Sequence, residues 1–192
     1  MARRKTISDE DVLSAAIRAM YAGGPADFTL AGVAAAAGIA PATLIQRFGD
    51  KHGLIVAAVA HDNDLFAAAL AKLPKGRGAK AVIDVFRVLM AGNDEDVADV
   101  SDEGFGEGLL WLHQDMRDPD LNRLCRERFA LLRAAIVARL PPLALPPQQA
   151  AQLIEAMWNG ALIQWGIERK GRLDAYVFNS LKAWFRLAKA KA

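Results

Sequence analysis

One cysteine, Cys125, stands among the 192 residues. The chain therefore holds no intramolecular disulfide and no cysteine-built zinc cage, which fits a reducing compartment. Long apolar runs are missing too: the longest, Leu54 to Ala60, is too short to cross a bilayer. The opening Met1-Ala-Arg-Arg-Lys-Thr carries charge with no apolar stretch behind it, so it does not read as a secretory signal. Nowhere do Val and Ile alternate with polar residues over a long run, which removes the signal for strands. Internal repeats and low-complexity tracts are absent beyond an enrichment in alanine, a helix former. What is present is 53% hydrophobic and 24% charged. That balance can fill a core, so disorder is excluded, and the length suits one large domain or a small one joined to a larger. A soluble, cytoplasmic protein without a membrane partner is expected.

The net charge of +2 does not by itself point to nucleic acid, but its distribution is uneven. Arg3, Arg4 and Lys5 sit together at the start, and Asp94, Glu95, Asp96, Asp99, Asp102 and Glu103 crowd one mid-chain segment. A basic arm of that kind either solubilises the chain or reaches a phosphate backbone.

The spacing of apolar residues predicts an all-α chain. Ser8 followed by Asp9, Glu10 and Asp11 opens a first helix with the stripe Leu13, Ala16, Ile17 and Met20, and Gly23-Gly24-Pro25 ends it. Thr29 caps a short second helix to about Ala36, Gly38 offers a turn, and Pro41 starts a third helix to about Phe48. Asp50 caps a fourth, which runs to Leu73 before Pro74-Lys-Gly-Arg-Gly. Helical patterns return at 81–90, 105–116 and 120–140, with an acidic loop over 91–104. Beyond the hinge Pro141 to Pro147 come two long helices.

Two short helices meeting at a glycine, with the small residues Ala34 and Ala37 where they approach, form the layout of a helix-turn-helix. Pro41, Ala42 and Thr43 are short enough to let the second helix sit deep in a major groove. Gln46 and Arg47 reach further, glutamine towards adenine and arginine towards guanine or a phosphate. Lys51 is placed for a phosphate, and Thr29 puts a hydroxyl and a helix N-terminus near the backbone.

Gly38, Ile39, Thr43, Leu44, Phe48, Lys51 and Leu54, with Ala15, Met20, Gly24, Phe28, Thr29, Val33 and Ala34 upstream, give the segment its likeness: it resembles the TetR family of transcriptional regulators. The likeness covers roughly the first quarter of the chain. It implies a three-helix DNA-binding module over 1–50, a connecting helix over 51–73, and a helical ligand-binding and dimerisation domain over 74–192. Two positions depart from the pattern. Ala40 replaces a capping serine, and Ile45 replaces a tyrosine whose hydroxyl would meet a phosphate.

Chemistry of other kinds has no footing in the sequence. No Gly-rich phosphate loop, nucleophile elbow or paired carboxylate site is found, so neither a catalytic residue nor a cofactor is expected. His52, His61 and His113 show no metal-ligand spacing, and His61-Asp62-Asn63-Asp64 reads as a solvated helix face. Cys125, among Arg123, Arg126 and Arg128, reads as a small buried residue.

Two tasks remain for the rest of the chain. Leu162, Trp165, Val177, Leu181 and Trp184 are expected at a two-fold dimer interface, with Gly160 permitting close approach. Phe86, Met90, Phe105, Trp111, Leu112, His113, Met116, Phe129 and Trp158 are expected to line a cavity for a small hydrophobic or aromatic effector, with His113 as a polar anchor. The whole reads as a homodimeric regulator, a repressor that binds a palindromic double-stranded DNA operator and responds to that effector. A helical enzyme or a protein-binding adaptor is the alternative.

Overall fold

The computed structural model describes residues 7–91 and 102–189, and of 91 and 102–105 the backbone alone, as also at 189. Among the described residues the regular structure is nine α-helices with no strand. The basic residues Arg3, Arg4 and Lys5 and the acidic Asp94, Glu95, Asp96 and Asp99 lie outside the described residues.

Local chemistry sets where the early helices begin. Ser8 opens α1 (Asp9–Ala22) with a capping box: its Oγ accepts the N–H of Asp11 at 3.1 Å, and the Asp11 carboxylate accepts the N–H of Ser8 at 3.2 Å. Thr29 caps α2 (Leu30–Ala37), its Oγ1 accepting the N–H of Gly32 at 3.1 Å. α3 (Pro41–Phe48) has no side-chain cap at Ala40 and relies on Pro41, whose fixed φ suits a first helical position. Asp50 starts α4 (Lys51–Lys72) by accepting the N–H of Gly53 at 2.8 Å.

Five helices follow: α5 (Ala79–Ala91), α6 (Asp102–Arg117), α7 (Pro119–Arg139), α8 (Pro147–Glu168) and α9 (Leu173–Lys189). The expected acidic loop therefore ends earlier than its pattern implied. Residues 102–104 are already helical.

The chain forms two compact units, Met1–Leu65 with Ser101–Cys125, and Phe66–Val100 with Arg126–Ala192. In the first, Val12, Ala16, Phe28, Val33, Leu44, Leu54 and Ala58 form the core. Trp111 of α6 joins it, its ring edge-on to Phe28 at 5.8 Å. The indole N–H of Trp111 donates to the carbonyls of Met20 and Gly23 at 3.0 and 2.9 Å, so α6 closes the end of α1. The first unit thus takes in α6, which packs on α1, beside the helices expected to form the DNA-binding module.

α4 corrects a further expectation. Asp62 and Asn63 are buried rather than solvated: the Tyr21 hydroxyl donates to Asp62 at 3.1 Å, and the Asn63 amide donates to the Leu124 carbonyl at 2.9 Å. By length and composition α4 could span a bilayer, yet its Leu54, Ile55, Ala58, Phe66 and Leu70 are all buried in the protein.

In the second unit the core holds Phe86, Leu132, Ile136, Ile154, Val177, Leu181 and Phe185. One ion pair is set into it. The Arg133 guanidinium donates to both oxygens of Glu155, at 2.5 and 3.2 Å, and this bond raises the Arg133 pKa. Arg133 remains half-exposed, so the pair avoids the full desolvation cost of two buried charges.

Candidate nucleic-acid interface

The chain bends by 105° between α2 and α3, within the range of a DNA-reading helix-turn-helix. Gly38 makes the turn in the left-handed region, with φ 70°, where a side chain would be strained. Leu44, fully buried, and half-buried Phe48 anchor α3 to the core. Those anchors turn the opposite face outward, where Pro41, Ala42, Ile45 and Gln46 are exposed and Thr43 is half-buried.

Two expected contacts are occupied within the unit. Arg47 donates to the carbonyl of Ile7 at 3.0 Å and to Asp9 at 3.1 Å, so its guanidinium braces α3 against the start of α1. Both bonds come from Nη1, so the expected reach to a base or phosphate falls to the other donors of the guanidinium. Lys51 donates to the Pro25 carbonyl at 2.9 Å and lies 5.7 Å from the centre of the Phe28 ring. An ammonium has three donors, so this bond leaves capacity for a phosphate. Thr29 is exposed, and its hydroxyl oxygen serves the α2 cap.

Ile45 entered the sequence reading only as a departure from the family's tyrosine, not as a contact. It is 51% exposed on the reading face, where an apolar side chain has no core to join. The available signal was its place one residue beyond Leu44, off the buried stripe.

α4 begins hard against the end of α3. A Cβ added at Gly53 would stand 2.0 Å from the carbonyl oxygen of Phe48, backbone that cannot yield cheaply. Gly53→Ala is expected to lower stability by about 1–3 kcal/mol through this overlap. DNA affinity should fall at least tenfold as α3 is displaced. Thermal unfolding and anisotropy titrations check both, and wild-type values in each would refute the account.

The residues expected around an effector are divided. Phe86 and Trp158 meet in the second unit, their rings stacked at 4.5 Å with no room for a ligand between them. Met90 and Phe129 are half-buried in the same unit. Trp111 belongs to the first unit's core, while Leu112, His113 and Met116 on α6 are exposed. An exposed His113 is not the anchor of a closed cavity. The side chain of Phe105 lies outside the described residues. A recess of about 280 Å³ in the second unit is lined by Ala79, Lys182, Phe185 and Arg186, none of them among the expected nine.

The expected dimer residues divide similarly. Trp165, Val177 and Leu181 are at most 3% exposed within the single chain, so they are covered by the chain itself and are not surface. Leu162 and Trp184 are half-buried. The apolar side chains that α8 and α9 leave to solvent are Leu153, Ile163, Ile167 and Leu187. On α8, Leu153, Ile163 and Ile167 share one stripe with Gly160, opposite the buried face.

Chain folding also gathers polar groups that spacing kept apart. His52 Nε2 lies 2.9 Å from Asp118 Oδ2 and 4.0 Å from Asp120 Oδ2. Asp118 caps α7, its Oδ1 accepting the N–H groups of Asp120 and Leu121 at 3.0 Å each. The Leu121 N–H first, then His52 and the Asp120 N–H, hold the Asp118 carboxyl below its usual value.

Residues 12–58 match the sequence pattern described as bacterial regulatory proteins, tetR family. The HTH-type transcriptional regulator BetI of Burkholderia lata is 30% identical over 184 residues, covering 88% of this chain and 90% of the relative. Among solved structures, a transcriptional regulator from Rhodococcus sp. Rha1 superposes with a TM-score of 0.76 at 18% identity, covering 96% of this chain and 97% of that one. The regulator FadR from Bacillus subtilis, solved with stearoyl-CoA, gives a TM-score of 0.61 at 18% identity, covering 93% and 98%.

Proposed function

From the premise that the chain belongs to the TetR family of transcriptional regulators, we propose that it is a homodimeric repressor that leaves a palindromic operator when an effector binds. It is a DNA-binding transcriptional regulator and not an enzyme. The observation that carries the proposal is the exposed face of α3, which presents Pro41, Ala42, Ile45 and Gln46 beyond a buried Leu44.

On that face Pro41, Ala42 and Thr43 allow close approach, Gln46 reads adenine, and Ile45 packs on a thymine methyl group. Lys51 and Thr29 meet phosphates, and Arg47 holds α3 in register. The dimer forms through the outer stripe of α8, Leu153, Gly160, Ile163 and Ile167, with Trp184 and Leu187 of α9. Its symmetry places two reading heads on two half-sites about one helical turn, or a multiple, apart. The work requires access to the genome, and so a cytoplasmic location.

The effector is small and hydrophobic or aromatic. Support comes from the apolar second unit, with Phe86, Met90, Phe129 and Trp158 as its recognising residues, and from the FadR neighbour solved with an acyl ligand. Binding there releases DNA only if the effector favours the conformation that does not hold DNA. α4, which runs on from the reading helix into the second unit, is the coupling element.

Anisotropy titrations on the intergenic DNA upstream of the chain's own gene, at several salt concentrations, test the reading. Gln46→Ala and Ile45→Ala should each cost about 1–3 kcal/mol of discrimination between operator and random DNA. Lys51→Ala should weaken both alike and flatten the salt slope by about one unit. If Lys51→Ala changed base preference while keeping the salt slope, these roles would be misassigned. Failure of the wild-type protein to distinguish operator from random DNA would end the proposal.

A further inference from the structure

We propose that His52, Asp118 and Asp120 form a binding site for a divalent transition-metal ion of the zinc class, set beside the reading helix. One nitrogen and two carboxylate oxygens from these side chains lie within 4.8 Å of one another. Zinc bonds of 2.0–2.2 Å in a tetrahedron place donor atoms about 3.4 Å apart. The separations of 2.9 and 4.0 Å from His52 Nε2 bracket that value, and with all three atoms within 4.8 Å, side-chain shifts on the order of 1 Å would complete the set.

The ligands differ in how firmly they are held. Asp118 is fixed by the two N–H groups on its Oδ1, which leaves Oδ2 aimed at His52. Such outer bonds orient a metal ligand before the ion arrives. His52 lies on the first turn of α4 and Asp120 on the first turn of α7. Each of those helix N-termini carries about half a positive charge, and two carboxylates outweigh the pair. Imidazole with carboxylates selects zinc, cobalt or nickel over magnesium or calcium, which favour oxygen alone. Three protein ligands leave a fourth position for water or an exogenous group.

The metal would join His52, four residues past the end of α3, to the corner between α6 and α7, all within the first unit. A metal there acts on the geometry of the reading head independently of any effector in the second unit.

The test uses the full chain stripped of metal by chelator and dialysis. Zn²⁺ and Co²⁺ are titrated by calorimetry and by the cobalt absorption bands, with Mg²⁺ as control. The expected result is one ion per chain, with affinity at least 100-fold weaker in His52→Ala and at least tenfold weaker in Asp120→Asn. His113→Ala should bind as wild type, and Mg²⁺ at least 100-fold more weakly than Zn²⁺. His52 and Asp120 are about half-exposed, so both variants should keep the wild-type circular dichroism and melting curve without metal. Absence of saturable binding by the wild type overturns the proposal. So does binding of wild-type strength in His52→Ala. Neither outcome bears on operator recognition, which the anisotropy assay reads separately.

Discussion

Exchanging Ile163 and Ile167 together for aspartate is expected to yield a folded monomer with operator affinity reduced on the order of 100-fold or more. The two side chains are 48% and 79% exposed in the single chain, so charges there cost the fold little. In a dimer joined through the outer stripe of α8 the same charges would be buried without partners, a cost of several kcal/mol. Separating the two reading heads removes the advantage of binding two half-sites at once, which is worth about 10²–10⁴ in affinity. Sedimentation at micromolar concentration reads the first effect and anisotropy the second. A double variant that sediments with the wild type, or a wild type that is itself monomeric, would refute this interface. Trp165→Ala provides the contrast: that ring is buried within the chain and its N–H donates to Gly171, so its loss should lower stability before it alters assembly.

Trp111→Ala should cost about 3 kcal/mol of stability and, with it, most DNA binding. The estimate comes from removing a large, partly buried ring from a core contact, at the low end of such truncations. Trp111→Phe separates the two contributions. It keeps a ring beside Phe28 but leaves the Met20 and Gly23 carbonyls without the indole donor, at about 1–2 kcal/mol. Urea unfolding followed by circular dichroism measures both. If the two variants unfolded alongside the wild type, α6 would not be the support of the reading head that this contact implies.

The limits of α1, α2 and α3 were legible because the cues are local. Ser8, Thr29 and Pro41 act within three residues of themselves, and the reading helix spans 41–48 as its pattern predicts. Contacts set by folding were not legible. Trp111 finds its acceptors 88 and 91 residues away, so nothing in its neighbourhood told against a place in an effector cavity. His52 meets Asp118 across 66 residues, beyond any motif spacing. Trp165, Val177 and Leu181 illustrate another limit. Apolar residues at helical spacing announce a covered face, but the pattern is the same whether the cover is the chain itself or a second copy. Arg47 looked free to reach DNA because the carboxylate that holds it, on Asp9, comes from the other end of the module.

α4 runs unbroken for 22 residues, about 33 Å at the usual rise per residue. Treated as a rod pivoting near its far end, it turns a tilt of about 5° into a displacement of ~3 Å at Lys51, by plain lever geometry. The step from one base pair to the next along the duplex is about 3.4 Å. In the switch proposed above, a tilt of α4 by that amount would give a displacement comparable with one base-pair step. Gly53 leaves that end of the rod directly against the Phe48 carbonyl, so α3 would be the first element such a tilt met.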